Sequence, residues 1–178
     1  MKPELDTLTG LWNRDTVIDY LTQKINSKTA FSIALCDIDF FINIDSKIGS
    51  SEGDKILSRM AGFFSSHSEF ITGRYCSDSF ILIFENLDIV HTTSCVDEFR
   101  KQFRKQRFMD PQSIYAKVPI TISFGVTHYF ADGKSIEQIF KTAEIALAEA
   151  KKKAETVLPV PNIVKCRLSR MIVQGFLR

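Results

Sequence analysis

Two acidic residues, Asp37 and Asp78, lie at the ends of apolar runs, where a strand would meet a turn. The run 30–36 ends at Asp37, and Asp78 lies in the polar turn between the runs 70–75 and 80–84. Two strand-like runs joined by a short polar turn predict a β-hairpin. If the run 30–36 pairs with this hairpin, the two carboxylates converge at one sheet end and offer oxygen ligands for a divalent metal. The alternative, which suits either residue alone, is a solvated turn acid.

The composition is that of one ordinary globular domain with a sizeable core. The chain has 178 residues, of which 44% are hydrophobic and 25% charged. Its net charge of +2 gives no global electrostatic reason to expect nucleic acid or a membrane as partner. The N-terminus is polar and no apolar run is long enough to span a bilayer. The cysteines lack metal-site spacing and are expected to be reduced thiols of a cytoplasmic protein: Cys36, Cys76, Cys95 and Cys166.

The elements that must position these acids follow from the spacing of the apolar residues. We expect helices at 14–27, 51–66, 89–106 and 136–150, strands at 31–36, 70–75, 79–85 and 120–127, and a helical or looped connection at 40–49. After the opening helix this order predicts an α+β domain of the ferredoxin-like βαββαβ type, with helices on one face of an antiparallel sheet. In that topology the first and third strands are neighbours, which brings the hairpin beside Asp37.

Four motifs occur in a fixed order along the chain. Residues 6–14 fit the pattern D-x-L-T-G-L-x-N-R, residues 37–54 fit D-x-D-x-F…G…G-D, residues 123–126 fit S-x-G-V, and residues 143–151 are similar to A-D-x-A-L-x-x-A-K. Together they resemble the GGDEF family, the diguanylate cyclases of bacterial cyclic di-GMP signalling, over about residues 6–158. The resemblance implies the nucleotide-cyclase palm fold, GTP as ligand and Mg²⁺ as cofactor.

The family signature Gly-Gly-Asp/Glu-Glu-Phe reads Cys76-Ser77-Asp78-Ser79-Phe80 in this chain. The resemblance implies that Asp37, the backbone carbonyl of Ile38 and Asp78 hold the metal. The fourth signature residue is an acid implicated in activating the attacking 3′-hydroxyl, and Ser79 has no comparable basicity. Loss of a general base lowers a rate by a factor of about 100 to 10,000. The Cβ atoms at positions 76 and 77 also hinder close approach of a triphosphate.

The resemblance also implies nucleotide-binding positions. Asp54 corresponds to the acid that accepts from guanine N1 and N2, and Lys151 to a phosphate-binding lysine. Asp45 stands where the family usually has Asn, and an ionised carboxylate cannot donate to guanine O6. Ile42 replaces a phosphate-facing Lys, and Glu155 stands where Arg is common. Binding of GTP with Mg²⁺ is therefore expected to be weak at best.

Each retained residue has a structural alternative. Ser51 and Asp54 have the spacing of a capping box at the start of a helix. Asp39 could satisfy backbone groups at a strand end, and Lys151 could be a helix-end charge within a run of three lysines. Cys76 is either a reactive thiol or a small inert side chain.

The product-inhibition motif R-x-x-D of the family falls on His67-Ser68-Glu69-Phe70. Neither the guanidinium nor the carboxylate is present, and bidentate reading of a guanine base needs the guanidinium. Tight cyclic di-GMP binding at residues 67–70 is therefore not expected.

The resemblance ends near residue 158, so we divide the chain into a domain at 1–158 and a basic amphipathic tail at 159–178. Pro159 and Pro161 interrupt regular structure, and Asn162 could cap a new helix. On a helical wheel two faces separate: Arg167, Arg170, Gln174 and Arg178 on one, Val164, Leu168, Met171 and Ile172 on the other. Packing on its own domain, docking of a protein partner or second copy, and membrane-surface binding are the alternatives, in that order.

The sequence thus predicts a degenerate, catalytically inactive GGDEF domain that acts as a regulatory or protein-interaction module. A working diguanylate cyclase that makes cyclic di-GMP from two GTP is the alternative. Five residues precede Asp6, so regulatory input is expected to come from another protein.

Overall fold

The computed structural model describes residues 2–113, 116, 119–157 and 172–173. The helices in this part of the chain are α1 (Arg14–Asn26), α2 (Phe41–Ile48), α3 (Ser50–Ser65), α4 (Ile89–Phe103) and α5 (Ile136–Val157). The strands are β1 (Phe31–Ile38), β2 (Ile71–Cys76), β3 (Ser79–Glu85), β4 (Ile122–Tyr129) and β5 (Ile172–Val173). The predicted βαββαβ order is confirmed, with α1 before it and α5 after it.

The strands form one sheet in the order β2-β3-β1-β4-β5. Strand β1 is antiparallel to both β3 and β4, so the prediction that the first and third strands are neighbours is confirmed. Strand β1 runs two residues further than expected, and its register places Asp37 opposite Ser79 on β3 and opposite Ser123 on β4. The acidic end of β1 therefore lies beside the signature hairpin.

The helices cover both faces of the sheet. The prediction that the helices of the βαββαβ unit pack on one face is confirmed for α3 and α4, and the other face is covered by α1 and α5, which lie outside that unit. On one face, Ala34 and Cys36 of β1 pack against α3 and α4. On the other face, Ile33 and Leu35 pack against α1 and α5. Strand β1 is buried on both sides, and its run FSIALC does not alternate because a strand with two covered faces is apolar at most positions. The exception, Ser32, is buried and donates to the carbonyl of Leu87.

A cluster of aromatic rings fills the face that carries α3 and α4. Its ring centroids are between 4.6 and 6.3 Å apart. We call this set the aromatic cluster: Phe63, Phe64, His67, Phe70, Phe80, Phe84, Phe99, Phe103, Phe108 and Phe124. Phe supplies a large apolar area with defined packing geometry, which accounts for the Phe-rich composition.

Helix α5 lies unusually close to β4 at Gly125. A Cβ on Gly125 would collide with the backbone of Ala143 and Leu147 on α5, so only glycine permits this approach. Lys151 follows Leu147 by four residues and therefore lies on the same side of the helix. The close approach at Gly125 thus directs the end of α5 toward the end of β1.

The helix starts differ from prediction at α3. Helix α1 is capped by Asn13, whose side chain accepts from the backbone N–H of Thr16. Helix α3 instead begins at Ser50 after Gly49, whose φ of 85° also ends α2, and it has no side-chain cap. The predicted capping box of Ser51 and Asp54 is therefore wrong, because the helix has already begun one residue before Ser51.

The N-terminal motif covers the outer edge of β2. The backbone N–H of Arg74 donates to the carbonyl of Trp12 at 2.8 Å, and that of Trp12 donates to Thr72 at 3.4 Å. The Arg74 guanidinium binds Asp6 at 3.1 Å and donates twice to the carbonyl of Ser77, at 3.0 and 2.6 Å. We call Asp6 and Arg74 the clamp, because they hold the turn that follows β2.

The clamp holds a backbone conformation that ordinary residues avoid. Ser77 has a φ of 22°, where a Cβ is crowded, and the register slips by one residue between Arg74 and Cys76. The family's second turn glycine would relieve this crowding. The role of Arg74 was not foreseen from the sequence, although a cation three residues before the turn was a visible signal.

The tail contributes to the sheet. Residues 172 and 173 form β5, which pairs parallel with Gly125 and Val126 of β4. The prediction of a helix at these two positions was wrong, because β-branched Ile172 and Val173 add to a strand edge whose backbone groups need partners. Asn162, Val164, Arg167 and Arg170 lie outside the described residues. No helix in the described part of the chain is long and apolar enough to cross a membrane.

We propose that the domain ends near residue 158 and folds without the tail. Deletion of residues 162–178 removes β5 and uncovers the edge of β4, while β1 and α5 still hold that strand. We expect the free energy of unfolding to fall by about 1–2 kcal/mol, the value of one or two backbone hydrogen bonds. Urea denaturation measures this change, and light scattering is expected to show weaker self-association. A truncated chain that no longer unfolds cooperatively would contradict the division.

The clamp predicts a pH-dependent stability. Burial opposes ionisation of Asp6, but hydrogen bonds from Thr9 and the Arg74 guanidinium outweigh it and hold the pKa of this carboxyl below the usual 3.8. A depressed pKa in the folded state stabilises the protein above pH 4 and loses that effect as the pH falls through the folded pKa. Asp6→Asn is expected to lower the free energy of unfolding at pH 7 by about 1–2 kcal/mol.

Urea denaturation of Asp6→Asn and of the parent at pH 7 and pH 3 tests the clamp. The difference between them is expected to shrink at pH 3. Asp19→Asn is the matched control, because Asp19 is exposed on α1 and its loss should change stability by less than about 0.5 kcal/mol. Equal effects of the two substitutions at pH 7 would refute the role given to Asp6.

Candidate functional site

The structure brings Asp37 and Asp78 together at the end of β1. Asp37 is opposite Ser79 in the ladder with β3, and Asp78 precedes Ser79 in the hairpin turn. Burial raises the pKa of the Asp37 carboxyl. The Lys151 ammonium opposes that effect, while the charge of Asp78 and a hydrogen bond with it raise the pKa further. Two carboxylates are therefore close enough to repel, and their site favours a positive charge.

That positive charge comes from Lys151 on α5. Its Nζ lies 2.6 Å from Asp37 Oδ1, and the two side chains are 34% and 17% exposed. Among the described residues, no well-aligned hydrogen-bond donor faces the buried Asp37 Oδ1. The contact is still a close ion pair, because the attraction between two charges depends on their separation more than on the hydrogen-bond angle. Lys151 is thus a counter-ion of Asp37 and not merely a helix-end charge.

The hydroxyl of Ser79 contacts the other carboxylate oxygen of Asp37. Its hydroxyl donates to Asp37 Oδ2 at 3.2 Å, and the residue is 7% exposed. The side chain at the fourth signature position therefore points toward the acid pair but presents a hydroxyl that is already donating.

The residues at this site fit a magnesium ion that is shared with a phosphate ligand. Asp37 and Asp78 supply carboxylates, and the backbone carbonyl of Ile38 lies at the same strand end. The buried Oδ1 of Asp37 has no aligned donor in the part of the chain that the structure describes. Among the described residues no three His, Cys, Asp or Glu side chains group as a metal cage. Mg²⁺ is commonly held by one or two carboxylates plus substrate phosphates, so two carboxylates suffice.

Asp39 follows β1 directly and makes structural contacts at the strand end. It is 5% exposed and accepts hydrogen bonds from the hydroxyls of Thr121 at 2.6 Å and Ser123 at 2.7 Å. Its backbone N–H donates to the carbonyl of Thr121 at 2.9 Å. The expectation that Asp39 has a structural role at the strand end agrees with these contacts, although its carboxylate binds hydroxyls and not backbone groups.

The two candidate base-reading acids lie on neighbouring helices. Asp54 is exposed in the first turns of α3, and Asp45 is half-buried on α2. The Asp45 carboxylate rests against Gly53, where a Cβ would collide with its Oδ1. Sequence reasoning did not foresee this role of Gly53. The glycine lets the carboxylate of Asp45 lie against the backbone just before Asp54.

The two altered phosphate positions differ in what the structure shows. Ile42 on α2 is 83% exposed, so an apolar side chain faces solvent where the family has a cation. Glu155 falls within α5, but its side chain lies outside the described residues.

Two residues of the segment 67–70, His67 and Phe70, belong to the aromatic cluster, while Ser68 and Glu69 are exposed. The His67 ring stacks on Phe70 with centroids 5.8 Å apart and meets Phe99 edge-on at 4.9 Å. Phe70 also packs against Phe84 at 5.2 Å. The segment that carries the product-inhibition motif in the family therefore contributes to the core here.

Comparison with known proteins agrees with this architecture. The family model described as diguanylate cyclase, GGDEF domain, matches residues 4–156. Diguanylate cyclase A of Treponema denticola is 31% identical over 126 residues, which are 70% of this chain and 33% of that protein. The chain spans 33 to 43% of the length of the first three curated relatives that it matches.

Solved structures share the fold. The GGDEF domain of DgcB from Caulobacter crescentus, in complex with c-di-GMP, has a TM-score of 0.74 at 22% identity and covers 85% of this chain and 90% of its own. Diguanylate cyclase SiaD from Pseudomonas aeruginosa, in complex with its activator SiaC, has a TM-score of 0.75 at 24% identity, with 83% and 58% covered. The motif order, the sheet order and the match over most of its length show that the chain belongs to the GGDEF family.

Proposed function

We propose that this chain is a GGDEF domain without cyclase activity, which binds GTP and Mg²⁺ weakly and serves cyclic di-GMP signalling as a regulatory, protein-binding module. The observation that carries the proposal is Ser79. A diguanylate cyclase must remove a proton from the attacking 3′-hydroxyl, and the residue at that position here is a nearly buried hydroxyl that donates to Asp37.

The chemistry of Ser79 argues against general-base catalysis. A general base needs a pKa near the working pH and an acceptor atom directed at the proton. A serine hydroxyl is far less basic than a carboxylate, and its hydrogen already points to Asp37 Oδ2 at 3.2 Å. Loss of the base alone accounts for a rate decrease of about 100- to 10,000-fold.

Three further features weaken phosphate binding. Lys151 is paired with Asp37, Ile42 carries no charge, and the turn at Cys76 and Ser77 has side chains where the family has none. Phosphate recognition relies on charge-assisted donors and on close approach of backbone N–H groups. A triphosphate at this site therefore gains less binding energy than in an intact signature.

The retained acids support residual binding of GTP. Asp54 is exposed and can accept from the N1 and N2 donors of guanine, whereas Asp45 has no donor for O6. Asp37, Asp78 and the Ile38 carbonyl are the groups that would hold Mg²⁺. When bound, the metal would neutralise phosphate charge.

Residues 67–70 support the absence of tight product binding. A guanine base is held best by a guanidinium fork, and His67 and Phe70 instead pack into the aromatic cluster. The c-di-GMP complex of DgcB describes that protein, and this chain lacks the motif at the matching stretch.

A regulatory role suits a domain that has the fold of the family but has a serine in place of the general base. The complex of SiaD with its activator shows that a GGDEF-containing relative of this fold can engage another protein. For this chain the proposed partner is a protein or a second copy, in the cytoplasm and without nucleic acid. It would dock through the part of the tail at 159–178 that does not pair with β4 as β5. Binding of the tail to a membrane surface remains the least favoured alternative.

An active cyclase is the second candidate function. It is favoured by one observation, the convergence of Asp37 and Asp78 with Lys151 at the signature hairpin. In that case two copies, each with one GTP, would face each other, and another group would have to replace the missing base.

We predict that the purified protein makes no cyclic dinucleotide from GTP. Long incubations with Mg²⁺ or Mn²⁺, analysed by chromatography, are the measurement. A variant carrying Cys76→Gly, Ser77→Gly and Ser79→Glu is the matched comparison, because it restores the family signature, and product from it alone is the expected result. Product from the parent that disappears in Asp37→Ala would establish the active cyclase instead.

We predict a GTP dissociation constant above the micromolar range in the presence of Mg²⁺. Calorimetric titration of the parent, Asp54→Ala and Asp37→Ala is the measurement, and both substitutions are expected to remove the remaining heat. The same titration with cyclic di-GMP is expected to show no tight binding. Sub-micromolar GTP affinity that is unchanged in Asp54→Ala would contradict the proposed site.

A further inference from the structure

We propose that Lys151 is a resident counter-ion of the Asp37–Asp78 pair, and that a divalent metal binds there only when the Lys151 ammonium is withdrawn. This inference deepens the proposed function and rests on it in one respect, the assignment of Asp37 and Asp78 as metal-holding residues. It assigns to Lys151 a role toward the metal, as its competitor, in addition to any contact with phosphate.

The first step is that the acid pair requires a cation. Asp37 is 17% exposed at the end of a central strand, with Asp78 beside it. Two neighbouring carboxylates that are partly removed from water repel each other, and a positive charge relieves this repulsion. In the described part of the chain, the salt bridge that Asp37 forms is with Lys151, at 2.6 Å.

The second step is that both oxygens of Asp37 already have neighbours. Ser79 donates to Oδ2 at 3.2 Å, and the Lys151 ammonium lies against Oδ1. A metal ion on Oδ1 and an ammonium 2.6 Å from the same atom would repel each other strongly, because both are cations. Metal entry therefore requires that Lys151 move.

The third step is that Lys151 is able to move. Its side chain is a flexible four-carbon stem that is 34% exposed, so the ammonium can swing from Asp37 into solvent. A phosphate anion arriving at the site would attract the ammonium away from Asp37. Anion and metal would then help each other to bind, since each favours the state in which Lys151 has left Asp37.

The test measures metal binding without nucleotide, with Mn²⁺ alone as the probe and paramagnetic resonance of unbound Mn²⁺ as the readout. Lys151→Met removes the counter-ion and keeps the apolar stem. Lys153→Met is the matched control, because it changes the net charge equally at an exposed position of the same helix. We expect Lys151→Met to bind Mn²⁺ about tenfold more tightly than the parent and Lys153→Met to stay within about twofold.

Two further variants locate the effect. Adding Asp37→Asn to Lys151→Met is expected to abolish the gain, and Lys151→Arg, which keeps the charge, is expected to retain the low affinity of the parent. Lys151→Gln serves as a second neutral variant should Lys151→Met fold poorly, and thermal unfolding of each protein shows whether it is folded.

The possible results distinguish a failure of this inference from a failure of the proposed function. Equal Mn²⁺ affinities of the position 151 and position 153 variants would overturn the inference, as would absence of Mn²⁺ binding in both neutral variants at position 151. A tenfold gain in Lys151→Met supports it even if the GTP titration shows no binding, in which case only the proposed nucleotide binding fails.

Discussion

The arrangement of this domain depends on one electrostatic constraint, the burial of the Asp37 carboxylate at the end of a central strand. Strand β1 carries apolar residues on both faces as far as Cys36, and the next residue is an acid that cannot turn away from the hairpin, because its register with Ser79 is fixed. A buried carboxylate is tolerated only with hydrogen bonds or an opposite charge. The chain supplies both, a hydroxyl from β3 and an ammonium from α5. The contact of α5 with β4 at Gly125 is therefore linked to the site, because it sets where Lys151 can reach.

The signature turn is stabilised by contacts with residues outside it, one of which lies far away in sequence. Two residues with side chains replace the family's glycines, and Ser77 adopts a positive φ. The Arg74 guanidinium donates to the carbonyl of Ser77, and the Asp6 carboxylate in turn holds Arg74 by an ion pair. The same N-terminal segment covers the edge of β2 through Trp12, so one stretch protects a strand edge and shapes the turn. The opening motif consequently has a structural function in this domain, whatever the chemistry of the signature turn.

Local patterns in the sequence were sufficient to predict the helices and strands of the βαββαβ unit and the pairing of β1 with β3. They therefore also predicted that Asp37 and Asp78 lie close together. They were insufficient for features that depend on contacts between residues far apart in the sequence. The second covered face of the sheet could not be inferred from the βαββαβ order, since α1 and α5 lie outside it. Ser51 and Asp54 have good capping spacing, but the conformation of Gly49 started α3 earlier. The ion pair of Lys151 depends on the close approach of α5 to β4 at Gly125, and β5 forms because the edge of β4 is otherwise unpaired. Neither feature can be recognised from the pattern of apolar residues around Lys151 or around β5.

The aromatic cluster has a consequence for the design of a product-binding site on this domain. A product-binding motif on residues 67–70 would require a charged pair at the surface, whereas Phe70 now packs against Phe84 and Phe99 and His67 stacks on it. An acid at position 70 would remove a partly buried packed ring and would place a charge among aromatic neighbours. Installing the two motif residues alone would therefore remove ring contacts from the aromatic cluster, so a designed product site on this edge would also need changes at Phe84 and Phe99.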